Sequence, residues 1–154
     1  MTPAKFLDAV INPGLALLPT VPVTPEAQVL LLAIAGQESG LIHTYQMNGG
    51  PARGPWQFEP IGLAEVRRHP ASRRLFRALP RVADSTDQFE RLATDLPYAA
   101  AVARLALLRD PRPLPVIGSE AMAWGYYEGL WRPGRPRPET WRGHYAAAVA
   151  AVGW

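Results

Sequence analysis

Apolar residues crowd one stretch of this chain: Val29-Leu30-Leu31-Leu32-Ala33-Ile34-Ala35-Gly36. On a 3.6-residue period they occupy nearly every face, so a helix here has no side to give to water and belongs at the centre of the fold. Thr24-Pro25-Glu26 supplies an N-cap, a proline in the first turn and an acid at the positive helix end. Gly40 supplies the stop, and the pattern predicts a helix from Pro25 to about Glu38. The same punctuation recurs downstream. Pro60 opens a short helix through Arg68, broken by His69-Pro70. Further helices are predicted over Ala71 to Leu79, from an Asp84-Ser85-Thr86 cap towards Leu92, and from Asp95-Leu96-Pro97 over Tyr98 to Arg109. In the last of these, Val102, Leu105 and Leu108 recur at helical spacing. Ser119-Glu120 caps a helix through Gly129, and Pro138-Glu139 starts a final one through Val152. The stretches 109–113 and 132–138 are Pro/Arg loops. No alternating strand pattern is visible. The expectation is a mainly α single domain of 154 residues, with an irregular or hairpin-like region over 43–58. Its parts are an N-terminal extension (1–24), a core (25–135) and a C-terminal helix (136–154).

Composition narrows the function classes. With 48% hydrophobic and 19% charged residues the chain reads as globular. The apolar run around Leu30 is too short and too well capped to span a membrane, so no membrane insertion is expected. The N-terminus lacks the apolar core and cleavage site of a secretory signal, which predicts synthesis in the cytoplasm. There is no cysteine, hence neither disulfides nor thiolate chemistry. His43, His69 and His144 are far apart, with no pair at one-turn spacing, so no metal is expected. No phosphate-binding glycine loop or Gly-x-Ser-x-Gly elbow occurs, and no cofactor is expected. The net charge of +3 is carried by arginine almost alone, Lys5 being the one lysine. It suits an anionic partner without choosing one. The arginines are dispersed over several predicted helices and no nucleic-acid motif is present, so nucleic acid is the least expected partner.

Glu38 is the chemically conspicuous residue. A lone carboxylate closing a buried helix is desolvated, and the negative helix end also disfavours its charge. Both effects favour a carboxylic acid still protonated near neutral pH, as a general acid requires. Directly after it comes the one long stretch without helical pattern, His43 to Glu59. Asn48-Gly49-Gly50-Pro51 is a turn signal, so this segment can fold back over Glu38 as one wall of a groove. Tyr45, Trp56 and Phe58 offer faces that stack on sugar rings, with Asn48 and Gln57 as hydrogen-bonding partners.

Three segments, in order, resemble the motifs of the soluble lytic transglycosylases, a lysozyme-like family that cleaves peptidoglycan. Glu38-Ser39 matches the family's Glu-Ser pair at a helix end. Gly54-Pro55-Trp56-Gln57 matches the first and last places of Gly-Leu-Met-Gln. Gly125-Tyr126-Tyr127-Glu128-Gly129 matches the tyrosine and final glycine of Ala-Tyr-Asn-x-Gly, departing at the alanine and asparagine. The resemblance covers roughly residues 25–135. The chain is also similar to small lysozyme-like proteins of tailed phages, through Arg53 to Phe58 and Trp131 to Gly134. This resemblance implies Glu38 as catalytic acid and then base, Ser39 and Gln57 as substrate-positioning groups, and Tyr126 as the residue that orients Glu38. Tyr127, standing where the family has asparagine, leaves open which tyrosine points inward.

Two-carboxylate glycoside hydrolysis needs acids about 5–9.5 Å apart across the bond. After Glu38 the next acids are Glu59 and Glu65, and Met47 stands where common phage lysozymes carry an aspartate. The simpler expectation is a single-glutamate lytic transglycosylase acting on the MurNAc-β-1,4-GlcNAc bond of peptidoglycan glycan strands. The alternatives are a muramidase using Glu59 as second carboxylate, or a phage virion or tail protein whose partners are other virion proteins. Without a signal, the protein would reach the wall through a membrane hole, on a phage particle, or by dedicated export.

Overall fold

The computed structural model describes residues 1–42, 44–82 and 87–154. The protein is mainly helical, and among the described residues no strand forms. The central apolar run folds as read. Thr24 is extended and its Oγ1 accepts the Ala27 amide at 3.2 Å, which starts α3 (Pro25–Ser39). Gly40 ends it in the left-handed region at φ 64, a conformation that costs glycine little. Everything from Val29 to Gln37 is buried.

Two earlier helices precede it. Thr2 caps α1 (Pro3–Phe6), which passes through a π-helical turn (Leu7–Ile11) into α2 (Asn12–Ala16). Phe6, Val10, Ile11, Leu15 and Leu18 are all buried. Gln28 Nε2 of α3 donates to Asn12 Oδ1 at 2.8 Å. The stretch 1–24 is therefore part of the core and not an appended extension. Its apolar residues recur on one face, and α3 and its neighbours need that face as cover.

Downstream come α4 (Pro60–Arg68), α5 (Arg73–Ala78), α6 (Gln88–Thr94), α7 (Leu96–Leu107), α8 (Glu120–Trp131) and α9 (Pro138–Val152). His69 leaves the helical region ahead of Pro70, as a residue before proline must. The cap expected at Asp84-Ser85-Thr86 lies outside the described residues. Asp87 does the capping of α6, accepting from the amides of Phe89 and Glu90. Asp95 caps α7 through the Tyr98 amide at 3.1 Å, so that helix begins at Leu96. It ends at Leu107 because the next three amides turn to carbonyls three residues back.

A second helix is as enclosed as α3. Every residue of α7 from Tyr98 to Leu107 is buried. Its alanines let neighbours come close: a Cβ on Gly14 of α2 would meet Ala100 Cβ and the Pro97 carbonyl oxygen, each at 2.5 Å. On the other side α9 packs against α3, where a Cβ on Gly36 would sit 2.8 Å from His144 Nδ1.

The described part of the expected irregular region, 44–58, is hairpin-like, held by isolated antiparallel bridges of Arg53 with Tyr45 and with Phe58. Arg53 and Phe58 exchange both backbone hydrogen bonds, at 2.9 and 3.0 Å. A short 3₁₀ turn (Met47–Gly49) caps the segment, with Asn48 left-handed at φ 62.

Gly14→Ala sets helix propensity against space. Alanine gains about 1 kcal/mol in a helix interior. The clash with backbone atoms of α7 costs about 1–3 kcal/mol. The expected outcome is a net loss of unfolding free energy in urea; a gain would show that α2 and α7 can move apart freely.

Candidate active site

α3 carries Glu38 to the floor of a cleft of about 540 Å3. One wall comes from the hairpin-like segment, through Gln46, Met47, Gln57 and Phe58. The start of α4 adds Ile61 and Glu65, with Glu59 just ahead of it. The opposite wall is the end of α8 and the loop after it, from Tyr127 through Trp131 to Arg137.

Tyr127 is the residue that meets Glu38. Its hydroxyl donates to Glu38 Oε1 at 2.7 Å. The ring cannot turn away, because it stacks on Trp141 with centroids 5.2 Å apart and planes within 8°. Trp124 packs against it from a second direction at 5.4 Å. Burial, the Glu38 charge and this hydrogen bond together push the Tyr127 hydroxyl far above the ordinary phenol range, so it stays a donor. Two indole hydrogen bonds tie the surrounding elements together. Trp56 Nε1 donates to the Leu31 carbonyl of α3 at 2.9 Å, and Trp131 Nε1 donates to the Trp56 carbonyl at 3.0 Å. The hairpin is thereby fastened to α3 and to the end of α8.

The residue before Glu38 fixes the loop behind it. Gln37 is 8% exposed. Its Nε2 donates to the Arg137 carbonyl at 3.0 Å, and its Oε1 accepts from Thr140 Oγ1 at 2.9 Å. This brings the Arg137 side chain to the cleft.

The Glu38 carboxyl titrates above the ordinary range. Burial is the leading cause, as expected for a carboxylate ending a buried helix. The Tyr127 hydrogen bond and the Arg137 charge pull the other way, while Glu59 adds to the rise. Glu65, lower in the same cleft, behaves oppositely. Burial would raise it, but Arg132 and Arg109 grip it at 2.7 and 2.5 Å and hold it below the usual carboxylate range. Of these two acids, Glu38 keeps its proton to higher pH, whereas Glu65 is ionised and engaged by two arginines; Glu59 is the third acid in the cleft lining.

Several expected site residues sit elsewhere. Ser39 is buried and its hydroxyl donates to the Ala35 carbonyl at 2.9 Å, closing a helical turn instead of facing the cleft. Trp56 is fully buried in the core and presents no face to a sugar. Tyr126 points away from Glu38: it is buried, and its hydroxyl donates to the Leu107 carbonyl at 3.2 Å. One residue of helix separates the two tyrosines by about 100°, and the side that faces α3 belongs to Tyr127. Tyr45 and Asn48 lie outside the cleft lining, and the Tyr45 hydroxyl donates to Glu90 Oε1 at 2.6 Å. Gln57 does line the cleft, at φ 50 with its Nε2 held by the Gly54 carbonyl at 2.8 Å. His43 lies outside the described residues.

Sequence reasoning passed over Gln37, Gln46, Trp131 and Arg137. The Trp131-Arg132-Pro133-Gly134 segment marked the right loop, but no periodicity shows that its far end returns to Glu38. Among the described residues no cluster of three or more histidines and acids could hold a metal, and no helix is long and apolar enough to cross a membrane.

Glu38→Gln tests the burial of the acid independently of any activity. Below the ordinary carboxyl value of 4.5 the group is protonated folded or unfolded and costs nothing. As pH rises from there to the raised folded value, the unfolded chain loses a proton that the native state keeps, and stability falls. Glutamine keeps an oxygen for Tyr127 and has no charge to desolvate. The variant's melting temperature is expected to exceed the native one at pH 7 and to equal it near pH 3. An equal melting temperature at both pH values would mean Glu38 is not desolvated. Searches against protein-family models, curated proteins and solved structures return no match for this chain.

Proposed function

We propose that the protein is a peptidoglycan lytic transglycosylase with a lysozyme-like helical domain, in which Glu38 is acid and then base. The observation that carries this reading is the Tyr127–Glu38 pair. It is a desolvated carboxyl, held in one orientation by a donor whose ionisation burial pushes far above the phenol range, in a ligand-sized cleft. Trp131, packed on the buried Phe58 ring with centroids 5.6 Å apart, gives the cleft an aromatic wall for a sugar ring. Gln46 and Gln57 offer amides for hydroxyl and N-acetyl groups.

In the proposed reaction protonated Glu38 gives its proton to the glycosidic oxygen as the C1–O bond breaks. The oxocarbenium-like centre is supported by the sugar's own 2-acetamido group. The Glu38 carboxylate then takes the proton from the same sugar's 6-hydroxyl, whose oxygen closes on C1. An anhydro end results, no water is consumed, and Glu38 finishes protonated. Tyr127 stabilises the intermediate carboxylate without competing for its proton.

The muramidase reading draws support from Glu59. It lines the same cleft and its charge reaches Glu38, so it is the available second carboxylate; Glu65 is already committed to two arginines.

Purified protein is expected to clear peptidoglycan, and Glu38→Gln to slow clearing at least about 100-fold, the usual worth of a general acid. Released muropeptides should be one water lighter than hydrolysis products. Hydrated products that disappear in Glu59→Gln would move the assignment to a muramidase, and clearing by Glu38→Gln at the native rate would remove Glu38 from the chemistry.

The pH profile carries a separate signature. Cleavage needs Glu38 protonated, so the rate falls as pH rises through its raised value. Arg137 holds that value down. Arg137→Gln should therefore move the alkaline limb to higher pH, while Glu59→Gln moves it lower. Unmoved limbs in both variants would show that another group sets the profile.

A further inference from the structure

Six arginines from one segment of the chain line one bowl on a face separate from the Glu38 cleft. They are Arg67, Arg68, Arg73, Arg77, Arg81 and Arg91, drawn from the end of α4, from α5, from the loop after it and from α6. Between Val66 and Val82 the sequence has six arginines and no acid, and the fold turns all but Arg74 towards this bowl. The expectation of basic residues dispersed over separate helices is thus corrected by packing: α4, α5 and the start of α7 converge.

Among the described residues Asp95 is the one acid in an ion pair with any of the six, holding Arg91 at 2.9 Å. Gathered like charges raise each other's energy, and among the described residues the other five arginines have no acid in an ion pair to offset this. Elsewhere the chain does compensate: Arg109 and Arg132 share Glu65, and Arg53 has Glu90.

A second, independent observation points the same way. Tyr98 lines the bowl, is 2% exposed, and its buried hydroxyl has no hydrogen-bond partner among the described residues. Buried hydroxyls are rarely left without one. The Arg91 guanidinium lies 3.9 Å above the same ring, held in place by the Pro80 carbonyl at 2.8 Å and by Asp95. The lining thus combines a guanidinium fixed over the Tyr98 ring, an unused hydroxyl donor and further guanidiniums without an ion pair among the described residues.

We propose that this bowl binds a compact, multiply charged phosphate ligand, two or more linked phosphates, through the arginine forks and the Tyr98 hydroxyl. Guanidinium forks match phosphate oxygens two at a time, and a phosphate oxygen is the acceptor that Tyr98 lacks. A single phosphate would leave most of the six charges unanswered. A volume of about 630 Å3 suits a small ligand better than a long backbone. No aromatic face is open for base stacking either, since Phe76 is buried and the Tyr98 ring is covered by Arg91.

Sodium tripolyphosphate, titrated calorimetrically into the full chain at constant ionic strength, should bind saturably and raise the melting temperature. Sodium sulfate at matched ionic strength should do neither. Arg67→Gln/Arg77→Gln, both exposed positions, should weaken binding at least tenfold and leave peptidoglycan clearing unchanged. Tyr98→Phe removes a hydroxyl that bonds nothing among the described residues. It should therefore melt no lower than the native chain while binding tripolyphosphate several-fold more weakly. Equal binding of sulfate, native affinity in the double arginine variant, or full affinity in Tyr98→Phe would each overturn the assignment. A duplex DNA oligonucleotide retained more tightly than tripolyphosphate would overturn it in favour of an extended phosphate backbone. Anionic phospholipid vesicles bound in a tripolyphosphate-competable way would support it and identify the source as a lipid headgroup.

Discussion

The hydrogen bond from Tyr127 to Glu38 joins two requirements that otherwise conflict. A helix buried along nearly its whole length gives the fold its centre, yet its last turn carries an ionisable group into the same low-dielectric surroundings. Left alone there, a carboxyl would be poorly oriented and costly to ionise. The Tyr127 hydroxyl supplies the donor, and the stack on Trp141 keeps the donor from leaving. Trp141 belongs to α9, and α9 is pinned at its start by Gln37, the neighbour of Glu38 in the chain. Orientation of the acid and docking of the C-terminal helix are thus one arrangement.

That dependence explains why the fold spends its close approaches where it does. Gly36 lets α9 lie against α3, and Gly14 lets the N-terminal helices lie against α7. Two enclosed helices form the interior, and the remaining helices cover them. The cleft opens where this cover is interrupted by the hairpin-like segment and by the loop after α8. The indoles of Trp56 and Trp131 fasten both to the interior, so the walls are set by the same packing that sets the floor.

Arginine plays two different parts. In the cleft it is neutralised: Arg109 and Arg132 close on Glu65, bridging α4, the end of α7 and the end of α8. In the arginine bowl, among the described residues, only Arg91 is paired with an acid, Asp95. A net charge of +3 conceals this, because the balance is struck over the whole chain and not over each face.

Helix positions were legible from the chain because capping residues, prolines and the apolar period act within a few residues of where they stand. Thr24, Pro60, Asp95 and Pro138 each begin the element they announce. The candidate acid was legible for the same reason, since a carboxylate one residue beyond an unbroken apolar run is a local contradiction. What stood around it was not. Whether Tyr126 or Tyr127 faces Glu38 depends on the rotation of α8 against α3, with 89 residues between the partners. Whether Trp56 stacks on a sugar or fills the core depends on which side of the hairpin α3 occupies. The sequence by itself determined the helices from Pro25 onward, the buried centre and the placement of Glu38 at its end, all consequences of short-range chemistry, while the packed helices of the first 24 residues emerged only in the structure. The tertiary structure alone decided which tyrosine holds the acid, which aromatics line the cleft and where the arginines meet, because those outcomes rest on packing between segments that no local pattern encodes.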